Sequence, residues 1–427
     1  MDIKETMEFI NSFSKSGKPV KDLSRAQELM KHVGNPERSL KFVHIAGTNG
    51  KGSTVEYISN ALIYSGYKVG QFTSPFVLHY ADRIRINGEE INENSLCKIA
   101  GNVKERIIGR DYSQFEITMA IAILWFAQEK CDIVILEAGI GGLLDCTNVI
   151  EPPLLAVITS ISLDHTTILG DTVEKIAEQK AGIIKKNSAV VLSTDNCADV
   201  KKIVRNTAKK ACAELVPCIK TKMIKNDDIY AEFSYKGKIL KLSMPGLHQK
   251  INAVTAITAC EYLRTKGFKI SEESIERSIE TTQVKARCQY IDGKPPVIVD
   301  GGHNMGGIES LELILRKYAV SLQKKIYTVM GMIETKDYKD GVYTISRYSN
   351  KMFTVDGFAP NAVDVRRLAK IAEEYTDAEA CSSLDQAVKL AKRLTLEKDG
   401  IMVVCGSLYL ASEYLNAFEN NGKTLQK

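Results

Sequence analysis

The sequence predicts an α/β fold in two domains: an N-terminal P-loop domain with a doubly wound, mostly parallel sheet, and a smaller C-terminal Rossmann-like α/β domain. Three observations carry this reading. Short β-branched runs alternate with helical periodicities along most of the 427 residues, the pattern of parallel strands joined by helical crossovers. A glycine-rich turn, Gly47-Thr48-Asn49-Gly50-Lys51-Gly52, joins the first such run to a helical stretch. A second α/β series starts near residue 286, so the chain divides into residues 1–285 and 286–427.

Residues 1–40 read as polar and helical, leading into a strand at Phe42–Ala46. A helix follows from Ser53, with Val55, Ile58 and Leu62 on one face. Lys68 to Thr73 is a second strand. Arg83 to Ile86 alternates toward Asn87-Gly88, a type I′ hairpin signal. Helices are expected over 93–109, 115–130, 171–185, 198–212, 248–266 and 271–281. Strands are expected at 132–138, 154–160 and 189–193, with a strand pattern over 229–243. In the second series, strands fall at 297–299, 326–330, 352–355 and 401–405, and helices near 305–319, 361–375, 382–395 and 408–418.

Composition narrows the class. Hydrophobic residues make up 44% and charged residues 26%, as in ordinary globular proteins. The net charge of +5 suits anionic substrates and gives no argument for nucleic acid. The ten cysteines include no C-x-x-C pair and fall mostly in apolar segments, which points to reduced core thiols. The run 117–127 is too short to span a bilayer, and the first ten residues lack a signal-type apolar core. A cytoplasmic protein without membrane or nucleic-acid partners is expected.

Strand, glycine turn and helix N-terminus together make an anion site. Glycines let backbone N–H groups turn onto phosphate oxygens, and the helix dipole adds partial positive charge. Lys51 would reach the terminal phosphates of a nucleotide. The general form G-x-x-x-x-G-K-[ST] is not met, because position 45 is Ile45 and position 52 is Gly52; the hydroxyls follow as Ser53 and Thr54. Glu137 lies at the C-terminal edge of the strand 132–138, and Asp164-His165 follows the strand 154–160. Carboxyl ends of strands are where open α/β sheets bind ligands, so these are metal or acid/base candidates.

GTNGKGS resembles the loop of the folylpolyglutamate synthase/dihydrofolate synthase family within the Mur ligase superfamily. Further matches follow in family order: Ser74-Pro75, the stretch from Leu136 to Asn148, Ser160 to Thr166, Glu178 to Ile183, Gly246 to Ala253, Arg287, Asp300 to Asn304 and Cys405 to Leu408. The resemblance implies ATP binding by Gly47, Thr48, Asn49, Gly50, Lys51, Gly52, Ser53, Asn252, Arg287, Asp300 and His303. It implies Mg²⁺ on Ser74, Glu137 and His165, with K⁺ as a further cation. Lys51, His165 and Lys180 are the implied catalytic residues, Lys180 as a carbamate. Phe115, Glu116, Leu144, Asp145 and Cys146 are the implied folate or pteroate contacts.

The implied reaction joins L-glutamate to a reduced folate or dihydropteroate through an acyl phosphate, and a monomer is expected. Two departures stand out: Leu143 replaces the family's arginine, and Ala286 and Cys288 flank Arg287 in place of glycine and phenylalanine. By sequence, Arg83 and Arg85 are the nearest cations that could replace the missing one. Three alternatives stay open: a Mur-type ligase of peptidoglycan precursors, a nucleotide-binding switch, and a non-catalytic nucleotide-binding relative. The guanine-reading N-K-x-D is missing, which counts against the switch.

Overall fold

The computed structural model describes residues 1–14, 21–107, 111–226, 230–244 and 246–424. Parts of three sequence expectations, at residues 15–20, 108–109 and 229, lie outside these. The chain forms two compact units: residues 1–222, 233–241 and 251–282 in the first, and 223–232, 242–250 and 283–427 in the second.

Among the described residues, the large sheet of the first unit has eight strands: β1 Phe42–Ala46, β2 Val69–Phe72, β3 Ile84–Ile86, β4 Glu89–Glu90, β5 Ile133–Glu137, β6 Leu155–Ile158, β7 Ala189–Leu192 and β8 Glu214–Pro217. Their order is β4-β3-β2-β5-β1-β6-β7-β8. Only β3 runs against the others, pairing antiparallel with β2 and β4 at one edge, so the sheet is mostly parallel as expected. The β3–β4 turn places Asn87 at φ 53 and Gly88 at φ 81, the double positive φ of a type I′ hairpin. The all-buried β1 is central, pairing Ile45 with Glu137 on one side and Ala46 with Ile158 on the other.

The helices of this part of the chain are α1 Ile3–Asn11, α2 Ser24–His32, α3 Lys51–Tyr64, α4 Glu93–Arg106, α5 Gln114–Gln128, α6 Thr166–Leu169, α7 Val173–Ala181, α8 Ala198–Lys210, α9 Leu247–Thr265 and α10 Glu272–Thr281. Helix α5 starts in a capping box between Ser113 and Glu116 and is buried all round from Glu116 to Phe126. It packs with Val134 and Leu136 of the sheet in one core, while α7 and α8 close on Ile158 and Val190 in another. Helix α7 is shorter than the expected 171–185. It starts on the Thr172 cap and stops at Gly182, where a Cβ would fall 2.4 Å from that of Leu143. Among the described residues, no helix is long and apolar enough to cross a membrane.

Three short strands, β9 Met223–Asn226, β10 Ala231–Tyr235 and β11 Lys238–Leu242, form a small sheet. The second unit's sheet holds β12 Gln289–Ile291, β13 Val297–Val299, β14 Ile326–Met330, β15 Lys351–Thr354, β16 Asp377–Ala380 and β17 Ile401–Cys405, in the order β12-β13-β17-β14-β15-β16. Only β12 is antiparallel. Its helices are α11 Met305–Arg316, α12 Tyr338–Ser346, α13 Val365–Ala372, α14 Leu384–Glu397 and α15 Leu408–Thr424. The sequence reading missed β8, β12, β16 and α12, together with β9 and the four-residue α6. The first three are edge strands with partly exposed residues and no apolar run, and α12 carries an internal glycine. Helix α13 begins four residues later than expected because Asp364 caps it, accepting from Arg367 N at 2.9 Å.

Candidate active site

The turn after β1 is fixed by contacts that only its own residues permit. At Gly47 a Cβ would lie 1.7 Å from Thr159 Oγ1, so no other residue fits without moving Thr159 just after β6. Thr48 N donates to Ser160 O at 2.7 Å, and Thr48 Oγ1 donates to Ser162 O at 3.1 Å, binding the turn to the segment after β6. Ser160 Oγ donates to Asn49 O at 3.3 Å. Gly50, at φ 84, caps α3, and a Cβ there would fall 2.2 Å from Asn252 Oδ1. Asn252, some two hundred residues away in sequence, is thus seated against the loop. Gly52 has open space beside it, and Ser53 is buried.

Three charged side chains gather at this strand end. Lys51 Nζ donates to the carbonyl oxygens of Gly47 at 3.2 Å and Thr48 at 3.3 Å, and stands 3.8 Å from Glu137 Oε1. Glu137, 3% exposed at the end of β5, accepts the Ser74 N–H at 3.2 Å on its other oxygen. Lys180, 4% exposed at the end of α7, donates to Gly47 O at 2.7 Å. Burial, and then the Lys51 charge, lower the Lys180 ammonium to about 7, against the pull of Asp164, Asp145 and Glu137. His165 takes φ 49 as the cap of α6, with its N–H on Asp164 Oδ1 at 2.9 Å.

This donor set fits a hard divalent cation of one particular kind. Among the described residues, no three His, Cys, Asp or Glu groups converge as a self-sufficient metal cage. Mg²⁺ commonly takes one or two protein carboxylates and completes its shell with substrate phosphates and water. One buried carboxylate, Glu137, beside the glycine loop and next to Ser74 could serve a cation held in that way.

The implied acceptor residues divide into two groups. Phe115 lies where a Cβ on Gly139 would meet its ring at 2.7 Å, and the same Cβ would meet Asp145 Oδ2 at 3.2 Å. Asp145 is buried and its pKa is raised by burial; its oxygens accept from Ile140 N at 2.9 Å and Thr147 N at 3.0 Å. Cys146 is buried beside it, its thiol pushed up first by burial and then by Asp145, while Leu144 is half-buried in the same turn. Glu116 is committed elsewhere: Arg25 Nε donates to its Oε1 at 2.8 Å, and Ser113 N and Oγ donate to its Oε2. Leu143 is 43% exposed, its N–H donating to Gln179 O at 2.7 Å.

In the second unit, Asp300 accepts from Cys288 N at 2.7 Å and from Gly302 N at 2.7 Å, and His303 Nδ1 lies 3.0 Å from Gly301 O. Arg287 is half-buried. Ala286 and Cys288, on either side of it, adopt φ 56 and 46, a left-handed backbone that glycine takes freely. The resembled motif's glycine at 286 therefore has a conformational reason, and Ala286 holds the same turn under strain.

Several residues of the site escaped the sequence reading. Arg25 pairs with Glu116 across 91 positions, and buried His44 Nε2 meets Thr147 Oγ1 at 2.9 Å across 103. Asn148, which the resembled stretch did include, donates from Nδ2 to Leu143 O and Gly182 O, tying the β5 loop to α7. Asp164 was visible as half of an Asp-His pair. A cleft of about 530 Å³ in the first unit, lined by residues including Met30, Lys31, Glu37 and Arg38, holds none of the expected site residues.

Known proteins share this fold and its two domains. The profile of the Mur ligase middle domain matches residues 45–260, and that of the Mur ligase glutamate ligase domain matches residues 286–408. The dihydrofolate synthase/folylpolyglutamate synthase of Bacillus subtilis is 32% identical over 408 residues, covering 92% of this chain and 93% of that protein. The crystal structure of Thermotoga maritima folylpolyglutamate synthase superposes with a TM-score of 0.85 at 28% identity, over 98% of this chain and 97% of that one. Escherichia coli FolC, solved with DHPP and ADP, gives 0.85 at 25% identity, over 99% and 98%.

Proposed function

Because the chain belongs to the folylpolyglutamate synthase/dihydrofolate synthase family of Mur ligases, we propose that it is an ATP-dependent ligase joining L-glutamate to a folate, with dihydropteroate as a second acceptor. The observation that carries this reading is the convergence of Lys51, Lys180 and Glu137 on the glycine loop after β1. We propose residues 1–285 as the ATP-binding domain and 286–427 as the glutamate-ligase domain.

The acceptor carboxylate oxygen attacks the γ-phosphorus of ATP, the bond to the bridging oxygen breaks, and ADP leaves. The amine of L-glutamate then attacks the acyl carbon, loses a proton, and expels inorganic phosphate that keeps the attacking carboxylate oxygen. The loop N–H groups of residues 47–53 hold the phosphates. Lys51 exchanges its contacts with Gly47 O and Thr48 O for phosphate oxygens and stabilises charge on the transferring group. Asn252, seated against Gly50, is proposed as an ATP contact, as are Arg287, Asp300 and His303 of the second unit. Mg²⁺, with K⁺ as a companion cation, would be held by Ser74, Glu137 and His165 and supplies Lewis-acid stabilisation of phosphate charge.

Lys180 has the chemistry for a carbamate. At about 7, roughly half of its amine is neutral at pH 7, against a very small fraction for an ordinary lysine near 10.4. The neutral nitrogen adds to the carbon of CO₂ and releases a proton, leaving an anionic oxygen ligand. Cytoplasmic, monomeric action on small molecules completes the reading. The test is incubation with ATP and L-glutamate plus either dihydropteroate or tetrahydrofolate. Glutamylated product and ADP support it; ATP turnover without a glutamylated product contradicts it.

A further inference from the structure

Arg83 is a buried guanidinium to which the mechanism assigns nothing. It ends the short turn 80–83 that leads into β3 and is 7% exposed. Its guanidinium carbon lies 5.7 Å from the ring centroids of Phe76 and Tyr80 and 5.9 Å from that of Phe115. Its Nε is buried without a hydrogen-bond partner, and among the described residues no carboxylate forms an ion pair with it. Asp82, its neighbour, spends one oxygen on the N–H groups of Val77 and Leu78. Arg85, two residues on and within β3, is paired with Glu56.

A buried cation lacking a fixed counter-ion is costly, and an arriving anion offsets that cost. Burial lowers the Arg83 pKa, while Tyr80, Asp82, Glu137 and Cys146 raise it, so an expected metal residue and an expected acceptor residue act on its charge. Phe115 links the two groups, since its ring borders both Arg83 and the Gly139–Asp145 turn. Leu143, which replaces the arginine of the resembled motif, brings no charge to that turn. Of the two cations that the sequence offered in its place, Arg85 is occupied and Arg83 is not.

We propose that Arg83 grips the carboxylate end of the acceptor through its planar fork, with Phe76, Tyr80 and Phe115 bordering the acceptor's aromatic ring. This rests on the ligase reading above. A guanidinium suits the task because it offers paired N–H donors to a carboxylate and stacks on aromatic faces. It makes Arg83 a specificity residue for aryl-bearing carboxylate acceptors.

The test compares wild type, Arg83→Lys and Arg83→Met for KM and kcat on dihydropteroate, with ADP affinity measured separately by calorimetry. Loss of a charged hydrogen bond should raise the acceptor KM of Arg83→Met roughly 10- to 100-fold, with ADP affinity within about twofold of wild type. Arg83→Lys should fall between them. Binding of dihydropteroate and of its carboxamide to the wild type gives a readout that needs no variant: the carboxylate should bind roughly tenfold or more tighter. Equal binding of the two, or an unchanged acceptor KM in an active Arg83→Met enzyme, overturns the proposal. A wild type that ligates no acceptor overturns the ligase reading itself, a separate result.

Discussion

Lys51 and Lys180 donate to the same carbonyl oxygen, that of Gly47, at 3.2 and 2.7 Å. One comes from the helix that follows the loop and the other from 133 residues beyond Gly47 along the chain. Two ammonium groups on one oxygen repel each other, and burial sharpens the repulsion. The pair stores a demand for negative charge that nucleotide phosphates on one side and a carbamate on the other would meet.

Lys51→Ala should leave the protein folded, since the side chain contacts two carbonyls and a carboxylate and fills no apolar space. Ligation should fall by about 100-fold or more. Turnover assays beside a thermal melt check this, and near-wild-type turnover contradicts the assigned ATP site.

Lys180 should carry a carbamate. Labelled bicarbonate should give a carbamate signal that is absent in Lys180→Ala, whose lost activity short carboxylic acids should partly restore. The signal should weaken as pH falls below about 7, because protonation removes the reactive amine. A wild-type spectrum without it, at saturating bicarbonate and pH 8, refutes the modification.

The loop and its helix were legible because strand, glycines and lysine are consecutive and each has a local signature. Glu137 was legible for the same reason, as the last residue of an apolar run. Lys180 was found through the resemblance alone; nothing local in α7 says that its ammonium reaches Gly47. The pairings of Arg25 with Glu116 and His44 with Thr147 are products of the packed sheet and had no sequence signal. Arg83 and Arg85 look alike in an alternating strand, and only packing separates the unpaired one from the one held by Glu56.

His44 sets a pH dependence of stability. It is fully buried, and burial first, then Lys185, lowers it to about 3 from an ordinary 6.5. The unfolded chain therefore binds more protons between those values, so stability falls as pH drops from about 6.5 toward 3. In denaturant titrations, wild type should lose stability relative to His44→Gln across that window, by at most about 1.4 kcal/mol per pH unit. Parallel curves for the two proteins contradict the assignment.

Leu143→Arg should alter acceptor preference without touching nucleotide binding. The side chain is 43% exposed, so an arginine fits without repacking the core. A change of roughly tenfold in kcat/KM is expected for dihydropteroate relative to a mono-glutamyl tetrahydrofolate, with the KM for ATP unchanged. Equal ratios in wild type and variant would remove position 143 from acceptor selection.

The most direct test of the central claim follows the carboxylate oxygen. With an acceptor whose carboxylate carries a heavy-oxygen label, one labelled oxygen should appear in the inorganic phosphate formed with each new amide bond, and ADP should be the nucleotide product. Unlabelled phosphate, or AMP in place of ADP, would contradict transfer of the γ-phosphoryl group to the acceptor carboxylate.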